Sequence, residues 1–190
     1  LVTVALSAYL LMGILLFVFQ RDFLYFPTAK SSHRLTIESF LNQGQRIEVV
    51  VLNAGNDSAI LYFGGNAEAV NDNAPSLAKA LPKHTLYLVN YRGYGGSSGS
   101  PTEQALYSDA QFIYDAVENR HATVSVIGRS LGSGVATLLA STRAVSKLVL
   151  ITPYDSIQRI AQDRFPLYPI MLLLKDRYNS VDRIQAIESK

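Results

Sequence analysis

The chain has 190 residues, 48% hydrophobic and 17% charged, enough for one domain with a substantial core and shifted slightly toward the apolar side. A net charge of +2, with no basic stripe interleaved with aromatics, excludes a nucleic-acid binder. The absence of cysteine excludes disulfides, thiol catalysis and cysteine-ligated zinc, and it leaves the compartment open.

Residues 1–19, LVTVALSAYLLMGILLFVF, carry no charge. At about 1.5 Å per residue they reach roughly 28 Å, close to the thickness of a bilayer's hydrocarbon core. A membrane-spanning helix is therefore expected over residues 1–20. A cleaved signal peptide is the competing reading, but its apolar core should be shorter and followed by small residues, whereas Phe19, Gln20 and Arg21 follow here. The expected location is a membrane with a single-pass anchor. The flanking basic residues visible on the downstream side, Arg21, Lys30 and Arg34, do not fix the orientation without the upstream flank.

Residues 21–45 read as a juxtamembrane linker, with Tyr25 and Phe26 at headgroup level, and a first edge strand. From residue 46 to 190 the pattern alternates strand and helix. The apolar runs Ile47–Leu52, Ala59–Phe63, Thr85–Val89, Thr123–Ile127 and Lys147–Ile151 are rich in β-branched or aromatic residues and bounded by Gly, Asn or Pro. Helices are expected near residues 67–80, 131–141 and 156–163, and after Ser100, taken as N-cap with Pro101 first in the helix and Glu103 three residues beyond the cap. Leu106, Ala110, Ile113 and Val117 give that last helix an apolar face. Strands alternating with helices imply an α/β fold with a mostly parallel sheet covered on both sides. The segment at about 164–180, broken by Pro166 and Pro169, reads as cap or lid material or as a core helix.

Gly128-Arg129-Ser130-Leu131-Gly132 matches G-x-S-x-G between a strand and a helix, the setting of a nucleophile elbow. Ser130 would sit at a helix N-terminus, where the free N–H of Leu131 and the helix dipole favour developing negative charge. A second oxyanion donor is expected from the glycine-rich loop after the second apolar run, YFGGNAEA, at Gly65 or Asn66. The glycine cluster NYRGYGGSSGSPTE lacks the Lys-Ser/Thr of a P-loop, and neither Gly93-x-Gly95 nor Gly132-x-Gly134 is completed by a third glycine, so a dinucleotide site is not expected.

YFGGNAEA, YRGYGGSSG, GRSLGSG and ITPYDSI, in this order behind an N-terminal stretch ending RDFLYFPT, resemble the membrane-anchored α/β hydrolases related to serine aminopeptidases and prolyl oligopeptidases. The resemblance implies an α/β-hydrolase fold and acyl transfer on an ester, thioester or amide, with Ser130 as nucleophile, the amide of Leu131 as one oxyanion donor and Asn66 or Gly65 as the other. It implies a small or lipid-like acyl substrate and no cofactor, metal or nucleic acid. Gly64 stands where relatives often carry a histidine that shapes the loop.

Chain order in this superfamily is Ser, then Asp or Glu, then His, yet the three histidines, His33, His84 and His121, all precede Ser130. His84 and His121 belong at the N-terminal ends of strands, roughly a strand length of 17–20 Å from the edge where Ser130 lies, and His33 belongs to the linker. Asp155 lies at the correct edge, although Asp155-Ser-Ile-Gln158 also reads as an N-cap with a reciprocating Gln, the reading favoured here. The expectation is a fragment, inactive or nearly so by itself, whose catalytic Asp and His lie beyond Lys190. A non-catalytic, membrane-tethered binding module of the same fold is the alternative.

Overall fold

A computed structural model of the chain describes residues 1–30 and 34–187; His33 lies outside the described residues. Among the described residues, six strands form one mixed sheet in the order β1-β2-β4-β3-β5-β6. They are β1 (Ile37–Asn42), β2 (Gln45–Leu52), β3 (Ser58–Phe63), β4 (Thr85–Val89), β5 (Thr123–Arg129) and β6 (Leu148–Ile151). β2 runs antiparallel to both β1 and β4, while β4, β3, β5 and β6 are mutually parallel. The parallel part is the buried part, because each crossover lays a helix over the sheet.

Side chains alternate across the strands, so the inner strands of the sheet feed two cores. Val49, Leu61, Phe63, Val89 and Val126 face one side, where α3 (Glu103–Glu118) and α4 (Leu131–Thr142) cover them. Val50, Ile60, Tyr62, Leu86 and Leu88 face the other, under Val70 of a short 3₁₀ turn (Val70–Asn73) and Ala74 of α2 (Ala74–Ala80). Leu106, Ala110, Ile113 and Val117 supply the buried face of α3, as their helical spacing predicts. The helix expected over 67–80 divides at Ala74, with Pro75 in the first turn of α2, where a missing N–H costs nothing.

Two caps differ from expectation. The N-cap of α3 is Thr102, not Ser100: its hydroxyl accepts the Ala105 N–H at 3.1 Å. Glu103 does not reach back to a cap but accepts the backbone N–H groups of Arg177 (2.6 Å) and Tyr178 (3.0 Å), tying the C-terminal segment to the start of α3. The N-cap of α5 (Ile157–Arg164) is Ser156, which accepts from Arg159 N at 3.0 Å, and not Asp155. Residue 155 is held from the other side, its carbonyl accepting Ser180 N and Val181 N at the start of α7 (Ser180–Ile184).

α1 (Val2–Leu24) is 23 residues long and has no buried residue. By length and composition it suffices to cross a bilayer. One side of it packs on the segment that follows α5 and includes α6 (Ile170–Leu173). The rings of Tyr9 and Tyr168 stack with centroids 4.6 Å apart, Arg21 pairs with buried Asp176 at 2.9 Å, and the Tyr25 and Tyr178 hydroxyls meet at 2.9 Å.

Candidate active site

β5 ends at Arg129 and α4 begins at Leu131, so Ser130 alone makes the turn. It does so at φ 48°, ψ −116°, a backbone state that L-residues rarely adopt. The surroundings impose it. Ser130 N donates to Ile151 O of β6 at 2.9 Å, while Ser130 O accepts from Ser133 N (2.8 Å) and Ser133 Oγ (2.6 Å). The turn is tight enough that a Cβ at Gly132 would strike the Phe63 carbonyl, and one at Gly128 would strike the Gly132 carbonyl. Only glycines permit so close a passage of helix over strand. The result is an exposed serine at the C-terminal edge of the sheet, at the positive end of α4. Leu131, first in the helix, has no carbonyl one turn behind it within the helix to receive its N–H.

The loop after β3 lies against this turn: a Cβ on Gly65 would stand 3.6 Å from the Cβ of Ser130. The amide of Gly65 is committed to Glu68 Oε2 at 2.6 Å. Glu68, which sequence reasoning assigns no role, organises the loop, since its other oxygen accepts the Tyr62 hydroxyl (2.6 Å) and Asn73 Nδ2 (2.7 Å). Burial and then the hydrogen bond to Glu68 push the Tyr62 hydroxyl well above its ordinary range, keeping it a donor. The Asn66 side chain is equally occupied. Its Nδ2 donates to Leu24 O at 2.6 Å, and its Oδ1 accepts from Tyr94 Oη (2.7 Å) and Phe26 N (3.0 Å). Burial pushes the Tyr94 hydroxyl up to about 12. Asn66 thereby joins the end of α1 to the loop beside Ser130. The signal for this junction is nonlocal, residues 24–26 with 66 and 94, and no local pattern contains it.

The structure brings Ser130, Leu131, Gly65 and Asn66 together at one edge. It brings neither of the two described histidines, His84 and His121, there. His121 is bound at the opposite edge, Nε2 with Tyr87 Oη (2.9 Å) and Nδ1 with Asn56 O (3.0 Å). His84 lies just before β4, its amide on Leu81 O. Asp155 Oδ2 accepts from Arg159 Nη1 at 2.8 Å in an exposed pair within one helical turn.

Residues 49–177 match a family model described as alpha/beta hydrolase fold. The chain is 30% identical over 209 aligned positions to a Mycobacterium tuberculosis protein, Rv2307c, covering 98% of this chain and 73% of that one. It is 35% identical over 113 residues to the lysophosphatidylserine lipase ABHD12 of Danio rerio, covering 54% of this chain but only 30% of the lipase. Among solved structures, an alpha-beta hydrolase from Vibrio vulnificus superposes with a TM-score of 0.66 at 19% identity, covering 80% of this chain and 59% of that one.

Proposed function

The chain belongs to the α/β hydrolase fold family, and from that premise we propose that it carries the nucleophile of a serine hydrolase that cleaves an ester, thioester or amide of a lipid-like acyl substrate. The observation that carries this reading is the positive φ of Ser130 at an exposed strand-to-helix turn. Strain of this kind, about 1–3 kcal/mol, persists where the surrounding structure enforces it and concentrates at active sites.

Ser130 Oγ attacks the substrate carbonyl carbon while its proton passes to a base. The amides of Leu131 and Asn66 receive the carbonyl oxygen as it becomes an oxyanion. The bond to the leaving group breaks, the leaving group takes the proton, and water repeats the sequence to free the acid and restore the serine. Asn66 is preferred over Gly65 as second donor because the Gly65 amide is already given to Glu68. In this fold the carboxylate and the histidine follow the serine in chain order. The chain holds no histidine after His121, so the reading requires residues outside 1–190 to supply the base. A lipid-like substrate is favoured by the likeness to a lysophosphatidylserine lipase and by α1, read as a single-pass anchor whose Leu, Ile, Val and Phe residues each favour the bilayer centre by about 0.3–0.6 kcal/mol.

The distance of His84 and His121 from Ser130 favours one second reading, a membrane-tethered binding module of the same fold without turnover. Labelling of the full-length protein with a fluorophosphonate separates the two. The hydrolase reading predicts a labelled protein and an unlabelled Ser130→Ala variant; labelling that survives the substitution removes Ser130 from the role, and a full-length protein that never labels favours the binding module.

A further inference from the structure

Two apolar hollows run along the side of α1 that faces the C-terminal segment. The inner one, about 220 Å³, is walled by Leu16, Phe17 and Leu24 of α1, by Ile157 and Ile160 of α5, and by Leu173. The outer one, about 380 Å³, continues along α1 past Ile14, Leu10 and Tyr9, and it shares Phe17, Tyr168 and Leu173 with the inner. Together they follow the helix from residue 24 to residue 9, roughly 22 Å at 1.5 Å per residue. One leaflet of a bilayer, half of a hydrocarbon core about 30 Å thick, holds chains of about 15 Å, so the track has room for a whole acyl chain. Gln20, a polar residue in the inner wall, is occupied: its Nε2 donates to Phe17 O and Leu173 O, and its Oε1 accepts Lys175 N.

The second wall is as apolar as the first. Residues 165–174, FPLYPIMLLL, carry no charge and are bounded by Arg164 and Lys175. Leu167 and Leu172 are 78% and 74% exposed, an apolar surface that water would not favour. Because Tyr168 stacks on Tyr9, about 18 Å along α1 from Arg21, a helix that crosses a bilayer takes this segment into the hydrocarbon with it. Basic side chains mark the level where the hydrocarbon would end: Arg164, and Lys175 with its ammonium 4.5 Å from the Phe17 ring centre. The inner end of the track is walled by Leu24, whose carbonyl accepts from Asn66 Nδ2, and the neighbouring Gly65 lies against Ser130, so one short stretch of loop separates the track from the serine.

We infer that this track holds one acyl chain of a bilayer lipid, which enters sideways between α1 and residues 165–174 and so presents its carbonyl to Ser130 from within the leaflet. The inference rests on the proposed hydrolase reading for its chemistry and on the two walls for its geometry. It makes α1 part of the substrate site as well as an anchor, and it makes Ile160 and Ile14 determinants of chain length.

Two measurements test it, with the full-length protein in phosphatidylcholine vesicles. In the first, kcat/KM is compared for a hexadecanoyl and a butanoyl ester of the same alcohol; Ile160→Trp, a substitution at a half-exposed position, is expected to lower the long-to-short ratio about tenfold or more by displacing several buried methylenes. An unchanged ratio overturns the inference. The second needs no turnover: Ser130→Ala protein is irradiated with a lysophospholipid bearing a diazirine at the end of its acyl chain. Cross-links are expected in residues 9–17 and 165–174, and cross-links confined to other parts of the chain overturn the inference. Should Ser130 prove not to be the nucleophile, the second measurement still decides whether the track holds a chain.

Discussion

Glu68 holds the backbone N–H of Gly65 at 2.6 Å, and Gly65 in turn lies against Ser130. The carboxylate therefore sets the shape of the loop from which a second oxyanion donor would come. Glu68→Ala is expected to leave a folded protein whose serine acylates about 10–100-fold more slowly, because a donor displaced by a fraction of an ångström contributes far less to the transition state. The rate of fluorophosphonate labelling of the full-length protein, with circular dichroism as the folding control, measures this. Glu68→Gln, which can still accept the Gly65 N–H, is expected to lose less.

The backbone of Ser130 stores strain that glycine would not feel. Ser130→Gly is therefore expected to stabilise the fold by about 1 kcal/mol, a rise of roughly 2–4 °C in Tm for a chain of this size, while abolishing labelling. Differential scanning fluorimetry of the two proteins checks it. An unchanged or lower Tm would mean that the turn is relaxed.

Arg92 and Asp109 form a buried bidentate pair, Nε to Oδ2 at 2.7 Å and Nη2 to Oδ1 at 2.8 Å. Asn42 Nδ2 donates to the same carboxylate, and Gln43 Oε1 accepts from Arg92. The pair fastens the loop after β4 and the β1–β2 turn to α3. Removing one partner leaves an uncompensated buried charge, so Arg92→Ala is expected to cost about 3–5 kcal/mol in urea unfolding. The double variant Arg92→Met/Asp109→Leu is expected to recover much of that loss.

Arg143 donates to both carboxylate oxygens of Asp115, at 2.6 and 2.9 Å, and these hydrogen bonds hold the Asp115 carboxyl below its ordinary value of 3.8. A depressed folded-state value means stability that is present above the unfolded value and lost as pH falls through the folded one. The side chains are 29% and 50% exposed, so screening limits the effect to about 0.5 kcal/mol. Asp115→Asn should therefore be slightly less stable than the parent at pH 7, and the difference should shrink as the pH falls below the ordinary value of 3.8. Denaturant midpoints at pH 7 and in acid measure it.

What the sequence makes legible here is what local pattern encodes. Five apolar runs become strands within one or two residues of their expected bounds, and Gly128 and Gly132 announce the tight turn around Ser130 because nothing larger passes there. Capping residues are harder to place, since Ser100, Thr102, Asp155 and Ser156 are all competent. The choice falls to tertiary contacts, Glu103 with Arg177 and Tyr178 in one case and the Asp155 carbonyl with α7 in the other. Tyr62, Gly65 and Asn73 lie within six positions of Glu68, but no motif marks a carboxylate there as the loop's organiser, while the role of Tyr94 and the meeting of α1 with residues 165–178 depend on partners 28 to 159 positions apart, which no short window along the chain contains.

β6 borders the sheet with nothing paired beyond it among the described residues, and Val149 and Ile151 on one of its faces are 47% and 41% exposed. An open strand of this kind offers a row of unused amides and carbonyls next to bare aliphatic side chains, the template on which a second strand of any origin can dock. Residues 1–190 handled alone should therefore self-associate edge to edge, even with α1 kept in detergent. The same four-residue ledge, which through Ile151 O also steadies Ser130, would decide whether the molecule stays soluble.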